Sequence, residues 1–285
     1  MIRAMRDFIY FFLKEVPFYL KIQNIFTWLK GVRISPPSLD QPLKKVVYTC
    51  ITGYYDHLIS HTYVSDQWDY ICFTDNQELL DKGQGKWKVC PLQFASLDDA
   101  RNSRWHKLFP DRILSEYDVS LYVDANIDIV APDLFNYVNK KLLKRPEETL
   151  AIHKHLYRNC IYKEAQECMS LQLDSRYTIA QHVLKLKELN YPENNGLQEN
   201  NIIYRRHHDS QVKQVMEEWW WWISNYSRRD QLSFNYVIWH QNFKIHRFKK
   251  QFARNLNYGT MLAHRFSNAP VRSNNPPVVC QIHAE

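Results

Sequence analysis

Residues 117–129, YDVSLYVDANIDI, limit the possible architecture more than any other stretch of this chain. Val119, Leu121, Tyr122 and Val123 have the apolar, β-branched character of a strand covered on both faces. The run stops at Asp124-Ala125-Asn126 and resumes as Ile127, Ile129 and Val130. A carboxylate and a carboxamide two residues apart at the end of a buried strand cost desolvation energy unless something binds them. In open α/β sheets, ligands sit at the carboxyl ends of the strands. Two oxygen donors on one short turn suit a hard divalent cation that also holds phosphate oxygens. The plainer alternative is an Asp/Asn turn joining two strands.

The flanking sequence repeats the strand-then-turn pattern. Val46, Val47, Tyr48, Cys50 and Ile51 read as a first strand, followed by the turn Thr52-Gly53-Tyr54-Tyr55-Asp56. Residues 70–73 read as a second strand ending in Thr74-Asp75, and 87–92 as a third. Residues 101–108 are expected to be helical up to Pro110, with Arg101, Arg104 and Lys107 on roughly one face. Further on, 150–155 reads as a strand, 162–169 and 179–189 as helices, and Gly196 opens a turn into a strand ending at Arg205. Residues 210–225 make a long helix carrying Trp219 to Trp222, most of them expected to pack, and 228–239 another. The tail, which contains His264, reads as irregular. Strand–helix alternation of this kind predicts an α/β fold, a Rossmann-like, mainly parallel central sheet with flanking helices.

Composition narrows the function. Only 6 glycines occur, too few and too scattered for a P-loop or a GxGxxG turn, so a nucleotide would be held by side chains and a metal. The net charge of +7 favours anionic partners such as nucleotide diphosphates or acidic lipid. It is not gathered into a long basic run, which argues against nucleic acid. The 6 cysteines form no CxxC pair and read as reduced thiols, with a Cys160–Cys168 link the less favoured alternative. No stretch reaches the roughly 18 apolar residues of a membrane span, and the N-terminal apolar run is broken by Lys14, Glu15 and Pro17. A cytoplasmic location is therefore expected. Residues 1–40 read as a separate basic amphipathic arm, with Ile2, Met5, Ile9, Phe12, Leu13 and later Phe26, Trp28 and Leu29 set among Arg and Lys. Residues 1–33 would suit the surface of an anionic membrane on its inner face, or packing on the body of the protein. Ser35 to Ser38 and Pro42 read as a linker, and 44–285 as the folded body.

In their order and spacing these segments resemble a glycosyltransferase of the GT-A fold. In particular, R-x-x-R-x-x-K, then YVDANI, then E-x-N and RDQLSF resemble the glycosyltransferase-like family first catalogued as domain of unknown function 616, over about residues 44–240. A more distant similarity is to retaining family 8 glycosyltransferases, which carry D-x-D at a metal and, later, D-Q-x-x-x-N. Asp124-Ala125-Asn126 stands at the first motif with Asn replacing the second Asp, and Asp230 to Asn235 matches the second.

The resemblance implies a nucleotide-sugar donor, a polysaccharide or lipid-linked glycan acceptor, and a role in bacterial surface-polysaccharide or lipopolysaccharide assembly. It implies Mn²⁺ or Mg²⁺ on Asp124, Asn126 and a late histidine, His264 with His246 as second candidate, bound more weakly for want of one carboxylate. Thr52, Tyr54, Asp75, Arg101, Arg104 and Lys107 would contact the donor with Asp124 and Asn126. Gln231 would support the anomeric centre in a retaining reaction while Asp230 orients hydroxyls. In an inverting enzyme, Asp230 or Glu199 would be the general base. Asp230-Gln231 could instead cap a helix. Two other readings remain: a catalytically degenerate GT-A scaffold or binding protein, and a nucleotidyltransferase. The latter is disfavoured because Thr52 to Asp56 is not a glycine- and arginine-rich loop.

Overall fold

The computed structural model describes residues 42–264, and its compact unit begins at Leu43. The expected amphipathic arm over 1–40 lies outside the described residues, as does Cys280.

Seven strands form the main sheet among the described residues. They are β1 (Lys45–Ile51), β2 (Asp69–Thr74), β3 (Lys88–Pro91), β4 (Val119–Val123), β6 (Leu150–Lys154), β7 (Gln198–Arg205) and β8 (His246–Arg247). Their spatial order is β3-β2-β1-β4-β7-β6-β8. Every neighbouring pair is parallel except those made by β7, which runs against β4 and β6. The expected mainly parallel sheet is therefore the one that forms.

The reason lies in the period-2 sorting of apolar side chains. Val46, Tyr48 and Tyr122 face one core with Leu108, Phe109, Val212, Trp219 and Phe234. Val47, Val119, Leu121 and Val123 face a second core with Trp68, Trp87, Leu134, Phe135 and Phe252. Both faces are covered, so the strands read as near-continuous apolar runs.

The helices are α1 (Gln77–Lys82), α2 (Asp99–Leu108), α3 (Pro110–Ile113), α4 (Asp133–Tyr137), α5 (Ile161–Ser170), α6 (Arg176–Glu188), α7 (Ser210–Asn225) and α8 (Phe234–His240). Asp98 caps α2 by accepting from the Arg101 amide, and Asp209 caps α7 through the Gln211 and Val212 amides. Pro110 begins α3 rather than merely stopping α2, since its missing N–H costs nothing at a first helical position.

Three expectations need correction. The helix anticipated over 228–239 is divided: a single 3-10 turn, Asp230–Leu232, precedes α8, with Ser233 between them. Asp230 makes no side-chain capping bond, because its carboxylate is drawn to a neighbouring helix instead. The tail is not wholly irregular either, for β9 (Gly259–Met261) pairs antiparallel with β5 (Ile127–Ile129). A Cβ on Gly259 would stand 1.8 Å from the Phe252 carbonyl oxygen, so only glycine allows that pairing. The cysteines behave as expected: Cys50, Cys72, Cys90, Cys160 and Cys168 are all free thiols. No helix among the described residues is long and apolar enough to cross a membrane.

Candidate active site

The site is built where β4 ends. The three-residue spacing along α2 turns Arg104 and Lys107 toward that strand end and toward the Asp230 turn. Lys107 is 1% exposed. Its ammonium lies 2.8 Å from Asp230 Oδ2 and 3.6 Å from Asp124 Oδ1, and 4.7 Å above the Tyr122 ring. Arg104 Nε approaches the same Asp230 oxygen at 3.4 Å. Two acidic motifs far apart in sequence thus meet on one buried cation.

Burial alone would raise the Asp230 carboxyl, but Arg104, Lys107 and Arg229 together hold it well below the usual carboxylate range. A carboxylate locked this way is a poor proton acceptor near neutral pH. Its pairing with Lys107 and Arg104 disfavours proton uptake by Asp230 and suits a fixed anion.

Residues that the sequence reading did not single out keep this arrangement in place. Trp219 Nε1 donates to the Asp230 carbonyl at 3.0 Å, so one member of the tryptophan run holds the Asp230 turn. Tyr48 donates to the Lys107 carbonyl at 2.7 Å, and the fully buried Arg205 donates in turn to the Tyr48 hydroxyl. No local pattern marks Arg205, which looks like the end of a strand.

The donor-contact candidates divide. Thr52 Oγ1 donates to the Asp99 carbonyl at 2.7 Å, and the Gly53 amide donates to both Asp75 oxygens, at 3.1 and 3.0 Å. Thr52 and Asp75 therefore shape the turn after β1, and Tyr54, at 50% exposure, projects from it. Gly53 has φ +61°, and a Cβ there would lie 2.2 Å from Asp99 Oδ2. Gly53→Ala is expected to lower stability by about 2 kcal/mol, from left-handed strain and the displaced Asp99. The urea midpoint should fall accordingly, and an unchanged midpoint would refute the constraint. A cleft of about 410 Å³ opens beside this turn, lined by Asp56, His57, Asn76, Leu79 and Gln84 among others.

Arg101 is a correction. Its guanidinium donates to the carbonyls of Ile223 at 2.8 Å and Tyr226 at 2.6 Å, and to Asp98 at 2.6 Å. It clamps the carboxyl end of α7 to α2 and does not face the strand end.

His246 is a second correction. It lies on β8 at the sheet edge, 3.1 Å from Glu148 and 2.8 Å from the Tyr137 hydroxyl. His264 is brought nearer, because Asn126 and Leu262 exchange two hydrogen bonds, of 2.8 and 2.7 Å. From there His264 Nδ1 reaches Asp56 at 2.9 Å, and its ring lies 4.9 Å from that of Tyr55.

These residues fit a cation in part. Asn126 Oδ1 is buried with no hydrogen-bond partner. The Asp124 side chain is 30% exposed. A carboxylate holding one ring nitrogen of His264 is the support that metal-binding histidines usually have. Against this, among the described residues no three His, Cys, Asp or Glu side chains gather as a metal cluster. Any ion would rest on one carboxylate and neutral donors, with the Lys107 ammonium nearby.

Glu199, 2% exposed, is pushed up by burial, partly offset by Arg254, whose Nε is 2.7 Å away. Gln231 Nε2 donates to the Gln198 carbonyl at 3.3 Å, and Gln231 Oε1 accepts from Arg229 at 3.5 Å.

Residues 39–261 match the sequence model of the TOD1/MUCI70 glycosyltransferase-like domain. The chain belongs to this family. The match agrees with the expected class, as a glycosyltransferase-like domain. No curated protein sequence matches it significantly. Among solved structures, a WbbM bifunctional glycosyltransferase in its apo form is similar over 75% of this chain at 12% identity and TM-score 0.40. The glycosyltransferase GlyE of Streptococcus pneumoniae TIGR4 is similar over 73% at 12% identity and TM-score 0.43. Apo mouse xyloside xylosyltransferase 1 is similar over 72% at 10% identity and TM-score 0.39, across 84% of its own length. The chain spans only 40% of the WbbM chain and 46% of the GlyE chain.

Proposed function

We propose that this domain moves a sugar from a nucleotide-sugar donor to a glycan acceptor, with retention at the anomeric carbon. The observation that carries the reading is Lys107, buried at the carboxyl end of β4 between Asp124 and Asp230. In glycosyl transfer the bond from the anomeric carbon to the diphosphate breaks and negative charge grows on the leaving group. Arg104, Lys107 and Arg229 supply fixed positive charge toward that region, in a dry setting where it acts strongly. A divalent ion held by Asp124 and Asn126, with His264 alongside, would add Lewis-acid stabilisation of the same leaving oxygen.

The stereochemical reading follows from the bases. Asp230 is paired with Lys107 and Arg104, and Glu199 with Arg254 at 2.7 Å. With neither carboxylate free, the acceptor hydroxyl proton passes to the departing phosphate oxygen as the new C–O bond forms on that same face. The Gln231 carboxamide, one residue from Asp230, would lie beside the anomeric centre. A surface polysaccharide or lipid-linked glycan is the acceptor class that the sequence resemblance favours.

The test is a thermal-shift panel of nucleoside diphosphates and nucleotide sugars, each with Mn²⁺, with Mg²⁺ and with EDTA. A ligand at about 100 times its Kd should stabilise the fold by about 2.7 kcal/mol and raise the melting temperature. A shift that survives EDTA would assign the charge stabilisation to Arg104 and Lys107 alone. No shift with any donor, in folded protein, would overturn the transferase reading in favour of a degenerate scaffold.

A further inference from the structure

Arg205 is fully buried, yet it lies outside the charged cluster at the end of β4. It closes β7 and pairs across the sheet with Ser120, toward the opposite end of β4 from Asp124. Those two levels are roughly 13 Å apart along the strand, which sets Arg205 well below the end that faces a substrate. No carboxylate of the described residues pairs with it. Asp111, whose charge reaches it from a distance, is held by Lys213 at 3.7 Å. The guanidinium instead donates to the Tyr48 hydroxyl and to Met216 Sδ at 3.2 Å, and its Nε has no partner. A buried cation without a counter-ion costs stability, so its presence calls for a gain elsewhere.

That gain lies on the other side of Tyr48, whose hydroxyl donates to the Lys107 carbonyl at 2.7 Å. This carbonyl belongs to the last turn of α2, where carbonyls find no amide of their own helix and form the negative pole of its dipole. Arg205 is therefore a cation seated, one hydroxyl removed, at the negative pole of the helix that bears Arg104 and Lys107. A hydroxyl that accepts from a cation donates more strongly in turn. The Tyr48 ring also meets the Tyr122 ring edge-on, with centroids 5.3 Å apart. The Lys107 ammonium stands 4.7 Å above that second ring. Tyr48 thus supports Lys107 at both ends, its carbonyl directly and its ammonium through Tyr122.

We infer that Arg205 is a positioning residue for the transfer reaction. Through the Tyr48 hydroxyl it fixes the carboxyl end of α2, and with it the root from which the Lys107 stem reaches between Asp124 and Asp230. The inference rests on the transferase reading above and adds to it a residue that touches neither donor nor acceptor. A lysine ammonium on its flexible stem is only as well placed as its root. A misplacement of about 1 Å can cost about a hundredfold in rate.

Arg205→Met, Arg205→Lys and Tyr48→Phe, each made in the full chain and again in Lys107→Met, test this. Turnover of UDP-glucose, UDP-galactose and GDP-mannose, with water or added glycan as acceptor, is read as released diphosphate beside urea midpoints. Arg205→Met should fold at least as stably as the wild type, because it removes a buried charge without stranding a counter-ion. It should nevertheless lose about tenfold in kcat with donor KM changed less than about twofold, since Lys107 acts on charge that grows only in the transition state. Tyr48→Phe should match that loss, and Arg205→Lys, which keeps the cation, should escape most of it. In Lys107→Met neither Arg205→Met nor Tyr48→Phe should cost more than about twofold, because residues acting through one another are not additive. A wild-type kcat in Arg205→Met overturns the inference. So does a loss that persists undiminished in Lys107→Met, or one that Arg205→Lys shares in full. If Arg205→Met does not fold, Tyr48→Phe, which keeps both the ring and the cation, decides by its own kcat and its cost in Lys107→Met. A wild type that turns over no donor overturns the transferase reading and this inference together. An active wild type with unaffected variants overturns this inference alone.

Discussion

Lys107→Met is expected to reduce transfer by about a thousandfold, the loss typical of removing a fixed charge aimed at a developing anion, and to destabilise the fold by about 3 kcal/mol. The stability loss comes from what remains. Asp230 is 3% exposed and would keep its charge with Arg104 as its nearest cation, at 3.4 Å and poorly aligned. Removing one partner of a buried pair costs more than the pair itself contributes, because the other charge stays out of water. The double variant Lys107→Met/Asp230→Asn should therefore recover most of the stability and none of the activity. Denaturant melts and a transfer assay on the three proteins decide the matter. A double variant as unstable as the single one would mean that packing of the lysine stem, not its charge, sets the stability.

The pair also has a pH signature. The Asp230 carboxyl is held below its ordinary value of 3.8. The unfolded chain therefore takes up a proton before the native one does. The stability that this carboxylate lends is whole above the unfolded value and drains away as the pH falls below it. The acid limb of the wild-type stability curve should flatten in Lys107→Met.

Asp124→Asn is expected to abolish measurable transfer, by at least about two to three orders of magnitude, with little change in melting temperature. Its side chain is 30% exposed, lies 3.6 Å from the Lys107 ammonium and accepts a hydrogen bond from Tyr122. The backbone role of this residue survives the change: its amide donates to the Asn201 carbonyl at 2.9 Å and its own carbonyl accepts from Ile127 at 3.0 Å. A partly exposed carboxylate at the end of a buried strand is placed for a ligand. Full activity in Asp124→Asn would remove both the metal and the leaving-group roles from this turn. Loss of activity that Mn²⁺ partly restores would favour the metal role over a direct contact with substrate.

Much of this was legible in the residues. The apolar runs at 46–51, 70–73 and 119–123, each ending in polar turn residues, prescribed strands covered on both faces with their carboxyl ends free. The spacing of Arg104 and Lys107 put both on one helical face, and the scarcity of glycine excluded a phosphate-cradling loop. These are local properties, set by the period of side-chain direction and by steric limits on the backbone, so they can be read from neighbours in the chain.

What sequence could not decide was which polar groups would meet. Arg101 has the same spacing and charge as Arg104 and Lys107, yet it clamps the end of α7, because the carbonyls left open there lie within its reach. His264 stood first and His246 second as ligands, and it was the pairing of β9 with β5 that carried His264 toward Asp56 while β8 carried His246 to the sheet edge. Asp230 read as a group orienting hydroxyls, a base or a helix cap; Arg104 and Lys107, brought from a distant helix, are what its carboxylate meets. The physical reason is common to all of these. Whether a side chain is structural or reactive depends on the energy left after its partners are counted, and those partners arrive from distant parts of the chain only once the sheet has brought them together.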